Sequence, residues 1–342
     1  MYVKNQWYVA ALTEELTDRP LGRVMHDEPV VLYRREDGTP VALEDRCLHR
    51  QAPLSLGWVE GDNLRCTYHG LLFDCAGRCI EVPGQTAIPP NDGIRQYELR
   101  EQQGYIFIWM GDAGGASADV EPYDFPWTTK PGWRGLYAQF HAKCNWQLLV
   151  DNLLDVTHIA YAHKSTIGAA GVAEGAQART ERDGDKVVVS RWMFDIDPAP
   201  THVAATGYNG KVDRWQRVEF SPPGLIWLKV GIAKAGSGAE TGETDGILLD
   251  RHTLHTITPE SETSCHYFWT TAHAAASVTP EQEKMIYDQS VLAFNEDLVI
   301  LEGQQTRRDE GRPMIDINAD AGAAQARLVL DRLMQGQPAH PE

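Results

Sequence analysis

Cys47-Leu48-His49, then sixteen residues, then Cys66-Thr67-Tyr68-His69-Gly70, is the stretch whose reading decides the rest. Two thiolates and two imidazoles in two short pairs is metal-ligand chemistry. A structural zinc site can also take two Cys and two His, but its usual spacings, Cys-x2-4-Cys and His-x3-5-His, group like with like. Here each pair is mixed, so zinc fits the spacing poorly. The flanks, Arg50 to Gly57 and Gly70 to Asp74, form turns whose backbone amides are available to sulfur. Gly70 lets the main chain come close to whatever is bound.

One Cys and one His in each loop is characteristic of a Rieske centre, a 2Fe–2S cluster in which two His replace two Cys on one iron. Cys47 and Cys66 would bind one iron, His49 and His69 the other. Imidazole ligation holds such a cluster at a more positive potential than four thiolates would.

The chain has 342 residues, room for two domains, and is 42% hydrophobic, ordinary for a globular protein with a sizeable core. A formal charge of −17, from 48 acidic against 31 basic residues, disfavours nucleic acid and anionic membrane as partners. No apolar run approaches the ~20 residues of a membrane span. The start, Met1 to Trp7, lacks a signal peptide's apolar core, so the expected location is the cytoplasm. Cys75, Cys79, Cys144 and Cys265 remain outside the cluster set. Cys75 and Cys79 read as a metal pair or a disulfide, or, in a reducing compartment, as free thiols.

Residues 1–112 read as short strands and turns. Pro29 to Arg34 and Val41 to Glu44 flank Glu36-Asp37-Gly38-Thr39, a hairpin signal, and Tyr105 to Met110 reads as a buried strand. The Gly/Ala/Ser-rich run Gly111 to Asp119 marks a composition break. The expected division is residues 1–115, all-β with two cluster loops, and 116–342, mixed helix and strand. In the second part strands are expected at Lys186–Trp192, Leu225–Val230 and Ile247–Thr258. Small-residue stretches at Gly168–Ala178 and Ala235–Gly246 read as mobile loops, either pocket rims or plain disorder. Helices are expected from Asn145 through Asp155, from Pro280 to Gly303, and from Ala321 to Met334 with Gly336 as cap.

A second metal site is suggested by Asp155-x2-His158-x4-His163. Asp155 and His158 share a face if the helix continues, while His163 requires the helix to distort or end. Two neutral imidazoles and one carboxylate make the facial triad of non-haem Fe(II) oxygenases. The alternative is two satisfied histidines near a helix end. In the helix from Pro280, Phe294, Leu298 and Leu301 form an apolar stripe that puts Asp297 beside or within the buried face, with Glu296 and Glu302 further toward the polar side. A buried carboxylate needs a compensating charge, which a metal would supply. Otherwise Asp297 is a boundary residue with a salt-bridge partner.

The combined pattern resembles the oxygenase component of Rieske non-haem iron oxygenases, of the vanillate O-demethylase and dicamba monooxygenase group. The resemblance runs from Asn5–Leu12 through the cluster loops and Asn145–His163 to the Leu298 region. It implies an α+β chain: an N-terminal Rieske domain and a helix-grip (START-like) catalytic domain around iron. It implies His158, His163 and Asp297 as iron ligands with Asn152 nearby. Asp155 would be the carboxylate linking His158 to the cluster ligand His69 of a neighbouring subunit in a homotrimer. Each subunit would carry one 2Fe–2S cluster and one Fe(II), with O2 as co-substrate. NAD(P)H would act only through a separate flavin/iron–sulfur reductase or ferredoxin.

The activity implied is oxidative O-demethylation of a methoxylated aromatic acid, vanillate to protocatechuate and formaldehyde being the leading case. Chlorinated methoxybenzoates, aryl sulfonates and N-methyl substrates fit the same scaffold. On the Ile247 strand, alternation puts Arg251, Thr253 and His255 on one face. His255, just before Thr258-Pro259-Glu260, matches a substrate-contacting His in the dicamba enzyme. Arg251 would pair with a carboxylate, unless it is a solvated or structural Arg. The rival from another class is an electron-carrying Rieske ferredoxin, which would leave the residues after the first domain without a role.

Overall fold

The computed structural model describes residues 1–88, 90, 93–112, 115, 120–164, 166–168, 178–275, 278–309, 311–312 and 314–336. It forms two compact units, Met1–Asp124 with Thr258–Ser261, and Phe125–Ile257 with Glu262–Glu342. The Gly111–Asp119 break lies largely outside the described residues, as do 169–177 of the Gly168–Ala178 stretch.

The first unit is all-β. Its strands are β1 (Gln6–Leu12), β2 (Leu21–Met25), β3 (Glu28–Arg34), β4 (Pro40–Glu44), β5 (Trp58–Glu60), β6 (Asn63–Arg65), β7 (Leu72–Phe73), β8 (Cys79–Glu81), β9 (Gln96–Tyr97), β10 (Leu99–Gln102) and β11 (Tyr105–Met110). They make three antiparallel sheets, ordered β1-β11-β10, β2-β3-β4-β9 and β5-β6-β7-β8. Every residue of β11 is buried, because the strand is covered on both faces. The β3–β4 turn is the one the Asp-Gly pair announced, with Gly38 at φ +85°. The β2–β3 turn gave no such signal. His26 and Asp27 hold it at φ +54° and +62°, the two positive values of a type I′ turn. Their amides donate to the carbonyls of Pro259 and Glu260, which ties the short 258–261 segment to this unit. The two cluster loops follow β4 and β6, over a core that includes Val31, Leu43, Leu54, Phe73, Cys47 and Cys66.

The second unit is one antiparallel sheet with helices. Its strands are β12 (Trp133–Ala142), β13 (Arg179–Asp183), β14 (Lys186–Ile196), β15 (Val212–Ser221), β16 (Leu225–Lys234), β17 (Ile247–Ser261) and β18 (Ser264–Ala274), in the order β12-β18-β17-β16-β15-β14-β13. The helices are α1 (Trp146–Leu154), α2 (Ile159–Ala162), α3 (Pro200–Thr206), α4 (Pro280–Gln305) and α5 (Ala321–Met334). Asn145 caps α1 by accepting from the Gln147 amide. Thr279 and Gln282 close a capping box on α4, with Pro280 in the first turn. Glu302 and Gln305, at the end of α4, accept from the amides of Lys143 and Asn145, and Arg327 of α5 donates to Asp151. Helix α1 is thereby tied to α4 at its N-terminal start and to α5 through Asp151 in its body.

The expected strands and helices are present, the strands running longer than anticipated. The Ala235–Gly246 stretch departs from expectation. It is a hydrogen-bonded connection, with Lys234 N donating to Gly246 O, Gly236 N to Asp213 Oδ2, and a short 3-10 turn at Ala239–Thr241. Among the described residues no helix is long and apolar enough to cross a membrane.

Candidate metal centres and substrate cavity

In the first unit Cys47 and Cys66 are buried while His49 and His69 are exposed. The loops turn back on themselves: Cys47 N donates to Ala52 O and Gln51 N to Cys47 O, while Cys66 N donates to Leu71 O and Gly70 N to Cys66 O. Gly70 sits at φ +77°, and a Cβ there would lie 2.9 Å from Pro83 Cγ, so a side chain is doubly disfavoured. The Nδ1 atoms of His49 and His69 converge to 3.1 Å. Burial, together with the neighbouring Cys66 thiol, pushes the Cys47 thiol up to about 11. A metal is what would hold it as thiolate. A single tetrahedral zinc would need all four donors within about 4 Å of one another. Among the described residues these four yield no group of three whose donor atoms lie within 4.8 Å. A sulfur pair and a nitrogen pair set apart is what a two-iron cluster requires.

The group that does converge to 4.8 Å is His158, His163 and Asp297. The helix expected through Asp155 stops at Leu154, and Asp155 turns to an extended conformation as its C-cap. His158 and His163 then stand at the two ends of the one-turn helix α2, which is how a spacing of five brings both imidazoles to one point. From them, Asp297 Oδ1 is 3.4 Å from His158 Nε2 and 3.1 Å from His163 Nε2. It also accepts from Asn152 Nδ2 at 3.1 Å. Burial alone would raise the Asp297 carboxyl, but the two imidazoles pull it well below the usual carboxylate range.

Each His has its other ring nitrogen engaged. His158 Nδ1 donates to the Asp155 carbonyl at 2.6 Å, and His163 Nδ1 to Glu296 Oε2 at 2.7 Å. That fixes the tautomer and leaves both Nε2 lone pairs for a metal. The donor set, two Nε2 and one carboxylate, fits the facial triad. Asp155 differs from expectation in one respect. Its carbonyl makes the contact to His158, while its Oδ1 accepts from Thr157 N and Oγ1 and its Oδ2 is 3.8 Å from His158 Nδ1. Glu296, expected on the polar side of α4, instead turns to His163 and also accepts from Thr166 Oγ1 at 2.8 Å.

His255 is fully buried, its Nδ1 2.7 Å from Tyr267 Oη and its Nε2 without a partner. Burial pushes it down to about 3, so it is neutral. Arg251 lines a cavity of about 260 Å³ with Ile167, Pro200, Ala204, Ile286 and Gln289. The cavity and Asp297 share α4, seven to twelve residues apart.

Residues 6–98 match the model of the Rieske [2Fe-2S] domain, and residues 142–336 that of the vanillate O-demethylase oxygenase C-terminal domain. The iron-sulfur subunit of a toluene-4-sulfonate monooxygenase system from Comamonas testosteroni is 40% identical, over 98% of both chains. A vanillate O-demethylase oxygenase subunit from a Pseudomonas species is 37% identical over 98% of this chain and 96% of its own length. The crystal structure of dicamba monooxygenase with non-haem iron and dicamba superposes with a TM-score of 0.81 at 30% identity, covering 98% of each chain.

Proposed function

Because the chain belongs to the Rieske non-haem iron oxygenase components of the vanillate O-demethylase family, we propose that it O-demethylates a methoxylated aromatic acid, vanillate first among them. The cofactors of this family are a 2Fe–2S cluster and a mononuclear iron. In this reading Cys47, His49, Cys66 and His69 hold the cluster, and His158, His163 and Asp297 hold the iron. The observation that carries it is the convergence of those three side chains, with both Nδ1 positions already taken. Iron supplies a site where O2 and electrons meet. The overall change is ArOCH3 + O2 + 2e⁻ + 2H⁺ → ArOH + HCHO + H2O, the electrons coming from NAD(P)H by way of a separate reductase.

The chain's own groups do the positioning. Asn152 donates to Asp297 and keeps one oxygen oriented. Glu296 and the Asp155 carbonyl lock the imidazoles. His255, neutral and with a free Nε2, and Arg251, on the cavity wall, are the proposed substrate contacts. Asp155 Oδ2 is the atom proposed to reach His69 of a neighbouring chain in a cytoplasmic homotrimer. The similarity to a toluene-4-sulfonate system favours a second reading, hydroxylation of an aryl sulfonate's methyl group.

The deciding experiment supplies O2, NADH and a surrogate reductase to iron-loaded protein and measures formaldehyde across methoxybenzoates, with toluene-4-sulfonate in parallel. Formaldehyde from vanillate in step with NADH use is expected. Full iron loading with none from any methoxyarene would defeat the demethylase reading.

A further inference from the structure

Three arginines stand close together on one part of the second unit's sheet. The strand register puts Arg191, Gln216, Val230 and Arg251 side by side on β14, β15, β16 and β17, and Arg214 two residues before Gln216 on the same face. Arg191 is accounted for. Its Nε donates to Gln216 Oε1, another of its nitrogens to the Val156 carbonyl, and the Asp155 charge supports it.

The other two are not. Arg214 is 2% exposed; one nitrogen donates to the Ile167 carbonyl at 3.2 Å, and its Nε is buried without a partner. Among the described residues the Arg251 side chain makes no hydrogen bond, its Nε is also buried and unpartnered, and it lines the cavity. Among the described residues neither has a carboxylate within 4 Å. Burial pushes Arg214 down to about 9 and Arg251 to about 10, so both stay charged at neutral pH. His202, 4% exposed, is forced neutral by burial and by these two charges, and its Nδ1 is unpartnered. Thr201 Oγ1, on the cavity wall, is buried and unpartnered too.

Two desolvated guanidinium groups without a counter-charge are costly. They fit a site whose ligand supplies the missing anion, and a guanidinium fork meets two oxygens of a carboxylate or sulfonate at once. The remaining walls, Ile167, Pro200, Ala204 and Ile286, are apolar, and about 260 Å³ suits one small ring. From Ser290, on this wall, to Asp297 is seven residues of α4, about 10 Å of helix. An acid group at the arginines would therefore orient a ring with its far substituent toward the iron ligands.

We propose that Arg251, on the cavity wall, forms an anion seat for the acid group of an aromatic substrate, carboxylate or sulfonate, with Arg214, enclosed beside the cavity and not on its wall, adding its charge, and that a neutral ring of the same shape is rejected. This rests on the reading of the cavity as the substrate's, and adds to it Arg214 and the requirement for charge.

The test is calorimetric binding to the holoenzyme without reductase, so that no turnover occurs. The probes are 4-methoxybenzoate against 4-methoxybenzamide and toluene-4-sulfonate against toluene-4-sulfonamide. At least one acid is expected to bind thirtyfold or more tighter than its amide (~2 kcal/mol), and the tighter acid identifies the head group. Arg251→Gln should bring that ratio within threefold by weakening the acid alone, Arg251→Lys should restore part of it, and Arg214→Gln should cost the acid about tenfold. Equal binding of acid and amide overturns the proposal, as does a ratio unchanged in both glutamine variants. If a variant fails to retain its cluster spectrum and iron, the wild-type ratio decides alone. Tight, arginine-dependent acid binding without formaldehyde would sink the demethylase reading and leave the seat standing. Formaldehyde from acid and amide alike would do the reverse.

Discussion

Glu296 and Asp297 are neighbours in sequence with different tasks. Asp297 faces two Nε2 atoms, whereas Glu296 reaches sideways to His163 Nδ1 and Thr166 Oγ1. A carboxylate on the far nitrogen raises the basicity of a ligating imidazole and fixes its ring, and losing it costs roughly 10- to 100-fold in metal affinity. Glu296→Gln keeps the shape and removes the charge. Iron should then be lost about tenfold more readily in a chelator competition, with the cluster's EPR signal unaltered. Unchanged iron affinity would take Glu296 out of the site. Asp297 was legible in the sequence because the stripe Phe294, Leu298 and Leu301 marks the buried face of α4. Glu296 was not, since its partners come from a segment more than a hundred residues upstream and helical spacing places it on the flank. Arg214 escaped for a related reason: a charged residue in mid-sequence reads as surface, and only the register of four strands shows it enclosed.

At the scale of elements, the caps made the helices readable. Asn145, Pro280 and the Gly336 stop fix their ends to within about two residues. In the second unit the strands β12, β13, β15 and β18 were missed, as was helix α3. In β15 the buried residues include Asp213, Arg214 and Gln216, so the polar–apolar alternation that betrays a half-buried strand is absent. The turn that follows α2 was missed as well, and it is where the site is most easily broken. Gly168 N donates to His163 O, and a Cβ on Gly168 would stand 2.7 Å from that oxygen and 2.9 Å from Ile159 O. Backbone must move to admit it, so Gly168→Ala should lower iron occupancy severalfold and destabilise by about 1–3 kcal/mol. Iron assay and thermal melting of the same sample check both. The β2–β3 turn gives a pH prediction. Burial, with Lys4 and the N-terminal amine adding, pushes His26 down to about 3, so the folded unit holds it neutral. An unfolded His titrates near ~6.5. Below that pH the unfolded chain binds the proton and the folded one does not. His26 therefore leaves stability intact above ~6.5 and erodes it by about 1.4 kcal/mol per pH unit down to about 3. His26→Asn, which tolerates the positive φ, should flatten the slope of unfolding free energy against pH between 6.5 and 4 by roughly that amount. An unaltered slope would assign the acid sensitivity elsewhere.

For the whole molecule the question is whose iron a cluster serves. The four residues proposed to hold the cluster lie in the first unit and the converging triad in the second. His49 and His69 are exposed, and so are Leu48 and Tyr68 beside them, so the cluster's histidine side is presented outward. Asp155 likewise keeps its Oδ2 outside the contacts that its Oδ1 and carbonyl make within the chain. The convergence of His158, His163 and Asp297 was anticipated from residue spacing, because ligand identity and number are local properties. The route from cluster to iron was not, because in the proposed trimer it depends on where a second copy sits. If each cluster serves the neighbouring chain in a cyclic trimer, two inactive chains should repair each other. A Cys66→Ser chain lacks the cluster but keeps its iron ligands, and an Asp297→Asn chain lacks iron but keeps its cluster. Each alone should be dead. Co-assembled at equal ratio, they should recover about a quarter of wild-type turnover per chain, since half the chains carry iron and half of those receive a cluster-bearing neighbour in a cyclic ring. A relay confined to one chain gives no recovery at any mixing ratio. Asp155→Asn, introduced into the iron-bearing chain of the active mixture, should then abolish the recovered activity while iron and cluster contents hold, and persistence of turnover would remove Asp155 from the bridge.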